Sequence, residues 1–436
     1  MKTIRKHLSI YLFILCGFLS VEAQTLTVSS AGETGVSGTN WTSTGVNPVT
    51  ITANNTAAIN TSVIEGYLDA GTSVIVEMTN GEIDITSSIS KSSGGDATLT
   101  VKATDRVIFS STAGISATVG ELNLIFWSDS DNDEEGGVYF ENTNTTTNGG
   151  DFTVGGGTDP LTDYAVGYGT TSFSPIVQYH PQRYGFWIKQ GTINAGGGNI
   201  NILGITKSGQ TGDGIKVGYS SSTIANVITN GNGSVYMESD SLGSSSYDSF
   251  FVSDGSSIDG GDIWLNGKSS KGFAINLGNV NIGANFARTI KLETLWSGTN
   301  GWSASMWLGS SNGDAILGNV NTTSQIDLVP TKTTGSGRGM ISGYGFQLNG
   351  NQAELKIYPG DSNTKPVRIG SYSANSSYWD LIDFTGATFL NLSTELNNNL
   401  TGFDQITIGR VDQNVNADIK DFANSISTPV RILYSP

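Results

Sequence analysis

The sequence predicts an all-β fold, a single-stranded right-handed parallel β-helix (solenoid); three observations lead to the coil, while its right-handed sense is an expectation for such coils that the residues do not print. Short cassettes with apolar residues on either side of a variable one recur along the chain, one or two glycines introduce them, and no amphipathic stretch of helical period reaches useful length. One class reads Gly137-Val138-Tyr139-Phe140, Gly185-Phe186-Trp187-Ile188, Gly214-Ile215-Lys216-Val217, Gly272-Phe273-Ala274-Ile275 and Gly345-Phe346-Gln347-Leu348. The other opens on a double glycine, as in Gly94-Gly95-Asp96-Ala97-Thr98-Leu99, Gly197-Gly198-Asn199-Ile200-Asn201-Ile202 and Gly260-Gly261-Asp262-Ile263-Trp264-Leu265. Strands this short cannot close a two-layer sandwich across short connections, but they can stack as coils about 4.8 Å apart. Alternation then sends the flanking side chains inward and the central one outward, and glycine serves the corners. A pair of β-sandwiches with glycine-rich hairpins is the competing architecture; the scarcity of hairpin turn signals argues against it.

The elements follow in chain order. Residues 1–23 carry Lys2, Arg5 and Lys6, an apolar run over 10–19 and the exit Val21-Glu22-Ala23, which is the layout of a secretory signal peptide. The run is too short to span a bilayer. The mature chain is therefore expected to be secreted, extracellular or on the cell surface, with no transmembrane segment. Cleavage after Ala23 removes Cys16, the single cysteine, so no disulfide is expected, and Phe13-Ile14-Leu15 before it disfavours lipidation. Residues 24–90 are less regular and read as an N-terminal cap or first irregular coils. Residues 91–436 form the repeat region, whose C-terminal coil edge is expected to be open to a continuation of the chain or to self-association. The spacing between cassettes varies, 48 residues and then 29, which suits coils of roughly 20 to 25 residues with the longer gap taken as two turns. The best helical candidate is 394–400.

Composition narrows function. With 38 acidic against 22 basic residues and a net charge of −16, the surface repels nucleic acid, and no nucleic-acid partner is expected. Charged residues make up only 14% of the chain, so solubility rests on Ser, Thr, Asn and Gly, while 37% apolar residues suffice for a continuous core.

Three constellations could carry chemistry. Asp129, Asp131, Asp133, Glu134 and Glu135, closed by Gly136-Gly137, offer alternating oxygen ligands on a turning loop, which suits a structural calcium through Asp129, Asp131, Asp133 and Glu135. Glu134 and Phe140 occupy the sixth and twelfth positions, so this is not a helix-flanked calcium loop, and a solvated acidic corner is the alternative. No cofactor is otherwise required. For catalysis, His180 is the sole histidine beyond the leader, which disfavours Ser/His/Asp and Cys/His systems. Carboxylate pairs brought together by stacked coils stay open. Finally, Trp187, Trp264, Trp307, Tyr139 and Tyr236 occupy the central, outward position of their cassettes and form a candidate binding surface for a cell-surface glycan or protein partner.

The stretch Leu122-Asn123-Leu124-Ile125-Phe126-Trp127-Ser128-Asp129, continued by Gly136-Gly137-Val138-Tyr139-Phe140 and Gly149-Gly150-Asp151-Phe152-Thr153-Val154, resembles a segment of filamentous haemagglutinin-like bacterial surface proteins. Ile193-Asn194-Ala195-Gly196-Gly197-Gly198-Asn199-Ile200 and Leu390-Asn391-Leu392-Ser393 followed by Ile406-Thr407-Ile408-Gly409 are similar to the same group. The resemblance implies a secreted, repeat-rich, right-handed β-helical protein of adhesin type. The Asn-Pro motifs of that family's secretion cap are represented here by Asn47-Pro48 alone. The expected function is a non-enzymatic, extracellular or cell-surface adhesin-like protein. A polysaccharide-active β-helix enzyme, lyase or glycoside hydrolase, is one alternative, and a purely structural matrix or surface-layer component is another.

Overall fold

The computed structural model describes residues 24–110, 113–168, 183–241, 248–298, 305–333, 339–360, 367–370, 379–382, 399–409, 418–420 and 428–433. The leader with Cys16, the histidine at 180 and residues 390–398 lie outside this set.

The chain winds into stacked coils of three parallel strands each. Val107–Phe109, Val138–Phe140, Phe186–Ile188, Ile215–Val217, Phe250–Val252, Ile275–Leu277, Met306–Leu308 and Gly339–Gly343 follow one another up a 14-stranded open sheet, here the short-strand sheet. Register is direct: Val138 faces Phe186, then Ile215, Phe250, Ile275, Met306 and Ile341 in turn. The second and third strands of each coil merge into one 24-stranded sheet. They merge because Phe346–Ile357 rounds a corner, pairing first with Ala315–Gly318 and then with Gln325–Val329. The longer, third strands (Ala97–Ala103, Leu122–Trp127, Ile200–Thr206, Ser234–Ser241, Asp262–Ser269 and Thr289–Trp296) form the long-strand ladder. Parallel pairing throughout the coils excludes the hairpin-built sandwich.

Alternation fixes the core. Phe186, Ile188, Ile263 and Leu265 are all buried, and a continuous apolar column runs from Leu26 to Ile408. Part of it is a stack of rings: Phe109 lies flat on Phe140 with centroids 4.4 Å apart, and Phe126 meets both edge-on at 5.4 Å.

Coil length departs from expectation. Val138 pairs with Phe186 in the very next coil, so the 48-residue interval that Lys189–Glu141 also spans is one turn. The bond from Phe273 N–H to Asp248 crosses a coil of only 25 residues. Insertions leave the stack at corners without disturbing the ladder: after Phe152–Gly155 the chain turns outward and rejoins as Ala165–Gly167 against Ile200–Thr206. With fewer and longer coils, the fourteen strands of the short-strand sheet span about 60 Å.

Residues near the N-terminal end are arranged differently. Gln24–Ser29 sits between Ala57–Asn60 and Gly81–Ile85, so the intervening chain lies on the outer side and forms antiparallel pairs among Ser37–Gly38, Trp41–Thr44 and Val49–Ala53. It then enters α1, Thr61–Asp69, where the sequence predicts no helix. Asn60 caps it by accepting the Ser62 N–H at 3.0 Å, and Ile64 and Leu68 are fully buried. Three β-branched residues and a glycine in nine positions hide this helix from propensity, and tertiary burial overrides them. No helix among the described residues is long and apolar enough to cross a membrane.

Candidate functional site

The outward residues of the short-strand sheet form one register row: Ile108, Tyr139, Trp187, Lys216, Phe251, Asn276, Trp307 and Ser342. Tyr139 and Trp187 point out of the coil as alternation requires, yet they are 6% and 1% exposed, which corrects their assignment to a contact surface. The cause is lateral cover. Tyr184 packs on Trp187 at 4.6 Å, Tyr139 at 4.9 Å and Tyr219 at 6.1 Å, and the Trp187 Nε1–H donates to Gly218 O at 3.1 Å. The Lys216 ammonium completes the cluster, 5.1 to 5.7 Å from the rings of Phe251, Tyr184, Trp187 and Tyr219.

Further along the same face the cover stops. Trp307 is half-buried against Phe273 at 4.8 Å and Tyr344 at 5.9 Å. Here a groove of about 310 Å³ opens, lined by Tyr219, Phe251, Asp254, Asn276, Trp307 and Tyr344 together with corner serines and glycines. Tyr219 and Tyr344 are its most exposed rings, at 41% and 59%. Each follows a corner glycine, Gly218 at φ +80° and Gly343 at φ +153°. A side chain at Gly218 would collide with Ser253, and one at Gly343 with the Leu308 backbone, so glycine is what allows the tyrosines to stand at the rim.

Polar groups around the groove are tied into ladders across coils. Asp254 accepts from Asn279 N–H at 2.8 Å and from the Asn312 amide at 2.5 Å. Burial works against its charge, but the Asn312 and Asn279 bonds outweigh that and hold its carboxyl below the ordinary range. Asn276 donates to Asp248 at 2.6 Å, the Asp248 N–H donates to Asp213 at 3.1 Å, and Lys216 stands 3.6 Å from Asp213. Burial pushes both Asp213 and Asp248 up, with Lys216 opposing it. Stacking thus brings Asp213 and Asp248, 35 residues apart in the chain, into one buried cluster with Lys216, a meeting that sequence spacing could not reveal.

The other two rings of the expected surface are elsewhere. Tyr236 and Trp264 lie on the long-strand ladder, 4.9 Å apart, with Lys291 over the Trp264 ring at 4.5 Å. Trp264 is 38% exposed. The five rings thus divide between two faces and make no single row.

In the acidic loop, Asp129, Asp131 and Asp133 each bring an oxygen within 4.8 Å of the others, an arrangement that could hold a metal ion. Asp129 is buried and the other two are exposed. Positive φ at Asp129, Asn132 and Glu134 curls the loop so that Asp129 accepts from the N–H groups of Asp133 and Glu135 at 3.0 and 3.3 Å. Burial, reinforced by the charges of Asp133 and Asp131, pushes the Asp129 carboxyl up to about 7. Glu135 turns instead to Lys207 at 3.2 Å.

No protein-family model, curated protein or solved structure matches the chain.

Proposed function

We propose that the protein is an exported, non-enzymatic surface protein of adhesin type that binds glycan on the outer face of its short-strand sheet. The observation that carries this reading is the groove in which Trp307, Phe251, Tyr219 and Tyr344 offer ring faces beside Asp254 and Asn276. Flat apolar rings next to fixed hydrogen-bonding groups match a sugar, whose C–H faces are apolar and whose hydroxyls lie around the edge. The leader-like residues 1–23 support export, and the resemblance to filamentous haemagglutinin-like proteins supports surface adhesion and a right-handed coil. A glycan array and whole-cell binding assay compare the wild-type chain with Trp307→Ala. Loss of binding by a variant with unchanged circular dichroism is expected; undiminished binding overturns the reading.

Calcium is the cation proposed for the acidic loop, because carboxylate oxygens suit a hard ion and extracellular sites fill at high ambient concentration. Added calcium should stabilise the wild-type chain by about 1 to 3 kcal/mol in urea unfolding and leave Asp131→Asn unmoved. An equal response in both would remove calcium from the loop.

One observation favours a polysaccharide-active enzyme as second reading: Asp213 and Asp248, whose carboxyls burial pushes up, meet behind Asn276, a residue that lines the groove. Release of reducing ends or unsaturated products by the wild-type chain, abolished in Asp248→Asn, would establish it, and absence of both products with bound polysaccharide would exclude it.

A further inference from the structure

Three features of the groove constrain its occupant. The first is direction. Tyr219 follows the strand Ile215–Val217 and Tyr344 follows Gly339–Gly343, so the groove crosses five consecutive rungs and runs along the coil axis for about 19 Å. The second is period. Outward residues alternate between ring and polar group along this face: Trp187, Lys216, Phe251, Asn276, Trp307, Ser342. Rings therefore recur every second coil, about 9.6 Å apart. Trp187 keeps the period but is covered, so Phe251 and Trp307 are the platforms left facing the groove. The third is charge. Among the described lining residues Asp254 alone is charged, and it is an anion.

An equatorially linked pyranose chain in its extended, ribbon-like form turns over at each sugar and presents the same ring face every second residue. Its disaccharide repeat is comparable to two coil spacings. An axially coiled glucan has no such repeat, and a uronic-acid polymer would bring carboxylates against Asp254.

We infer that the groove binds a neutral, extended, equatorially linked polysaccharide lying parallel to the coil axis, stacked on Phe251 and Trp307 at alternate sugars and closed at its ends by Tyr219 and Tyr344. This rests on the glycan-binding reading above and adds the class, the direction and the length of the ligand. About four sugar rings fill the groove end to end. Asp254, held by Asn279 and Asn312, accepts from sugar hydroxyls midway along.

The test measures affinity of the full chain by calorimetry for cello-, manno- and xylo-oligosaccharides from disaccharide to hexasaccharide, with oligogalacturonates of the same lengths as the charged arm. At least one neutral series should gain affinity with each added sugar up to about the tetrasaccharide and then level off, and the oligogalacturonates should bind at least about tenfold more weakly. Trp307→Ala and Tyr344→Ala should each weaken the tetrasaccharide about tenfold or more, Tyr344→Ala leaving the disaccharide less affected, while Trp264→Ala on the other face changes nothing. Equal affinity at all lengths, or preference for oligogalacturonates, overturns the inference while leaving glycan binding intact. Glycan or cell binding that survives Trp307→Ala overturns the underlying reading as well.

Discussion

The two outward faces of the solenoid obey the same alternation and end in opposite chemistry. On the long-strand ladder, charges face opposite charges across coils: Glu77 stands beside Lys102, and Lys291, Asp327 and Lys356 succeed one another in register. Its rings are tied into that network by their polar neighbours. Lys291 stands over Trp264, which stays 38% exposed, the hydroxyls of Tyr164 and Tyr236 donate to Glu238, and Lys268 sits 2.7 Å from the same carboxylate. On the short-strand sheet, one cation and two carboxylates gather behind rings at one end, and farther along the rings face a groove. A face whose polar groups satisfy one another is a finished surface. A face with open rings beside fixed polar groups has capacity for a ligand.

Pointing outward and being exposed are separate properties of these rings, and a pair of substitutions separates them. Trp187→Ala removes a ring that faces out but lies under three others, so it should destabilise the fold as a core truncation does, by about 3 to 5 kcal/mol. Trp264→Ala removes a ring 38% exposed and should lower stability by about 1 kcal/mol or less. Urea unfolding followed by circular dichroism checks both. Equal losses would mean that cover by Tyr139, Tyr184 and Tyr219 does not distinguish the faces.

A smaller effect probes the carboxylates behind the rings. Burial makes Asp213 hold its proton in the folded chain above the ordinary value of 3.8, so over the window above 3.8 the native state binds more protons than the unfolded one. Stability contributed by this group is present below that window and is lost as pH rises through it. Asp213→Asn keeps the acceptor for the Asp248 N–H and removes the titration. The variant should gain on the wild-type chain between about pH 4 and pH 8, by about 1.4 kcal/mol for each unit by which the folded value is raised. A stability difference independent of pH would show that Asp213 ionises normally.

Much of this architecture was legible in the chain. The cassettes Val138-Tyr139-Phe140, Phe186-Trp187-Ile188 and Ile215-Lys216-Val217 are rungs of one sheet with their flanking residues inward, because a period of two is a local property. Coil length was not legible, since nothing local says whether Val138 stacks on a residue 48 positions away or on something between. Exposure was lost for the same reason: Tyr139 and Trp187 are covered by residues from neighbouring coils and corners. Tyr219 and Tyr344 belong to no cassette. Their only local sign is the preceding glycine, one among 57 in the chain. The meeting of Asp213 with Asp248 depends on register alone. By contrast, the oxygens of Asp129, Asp131 and Asp133 converge within one loop, and local spacing was enough to find them.

The finished face should also be the less sensitive one. Lys102 reaches Glu77 at 2.8 Å and lies 4.5 Å over the Trp127 ring, with about a quarter of each charged side chain exposed. Its charge is attracted by both partners, but water screens the pair and ordering two long side chains costs entropy. Lys102→Met keeps the stem against Trp127 and removes the charge, so it should cost about 0.2 to 1 kcal/mol. The coupling to Glu77→Gln in a double-mutant cycle should shrink as salt is raised, since the screening length falls from about 10 Å at 0.1 M to about 3 Å at 1 M. A coupling well above 1 kcal/mol that ignores salt would mean that the ladder is shielded from water, and the contrast between a satisfied outer surface and an open groove would then have to rest on packing alone.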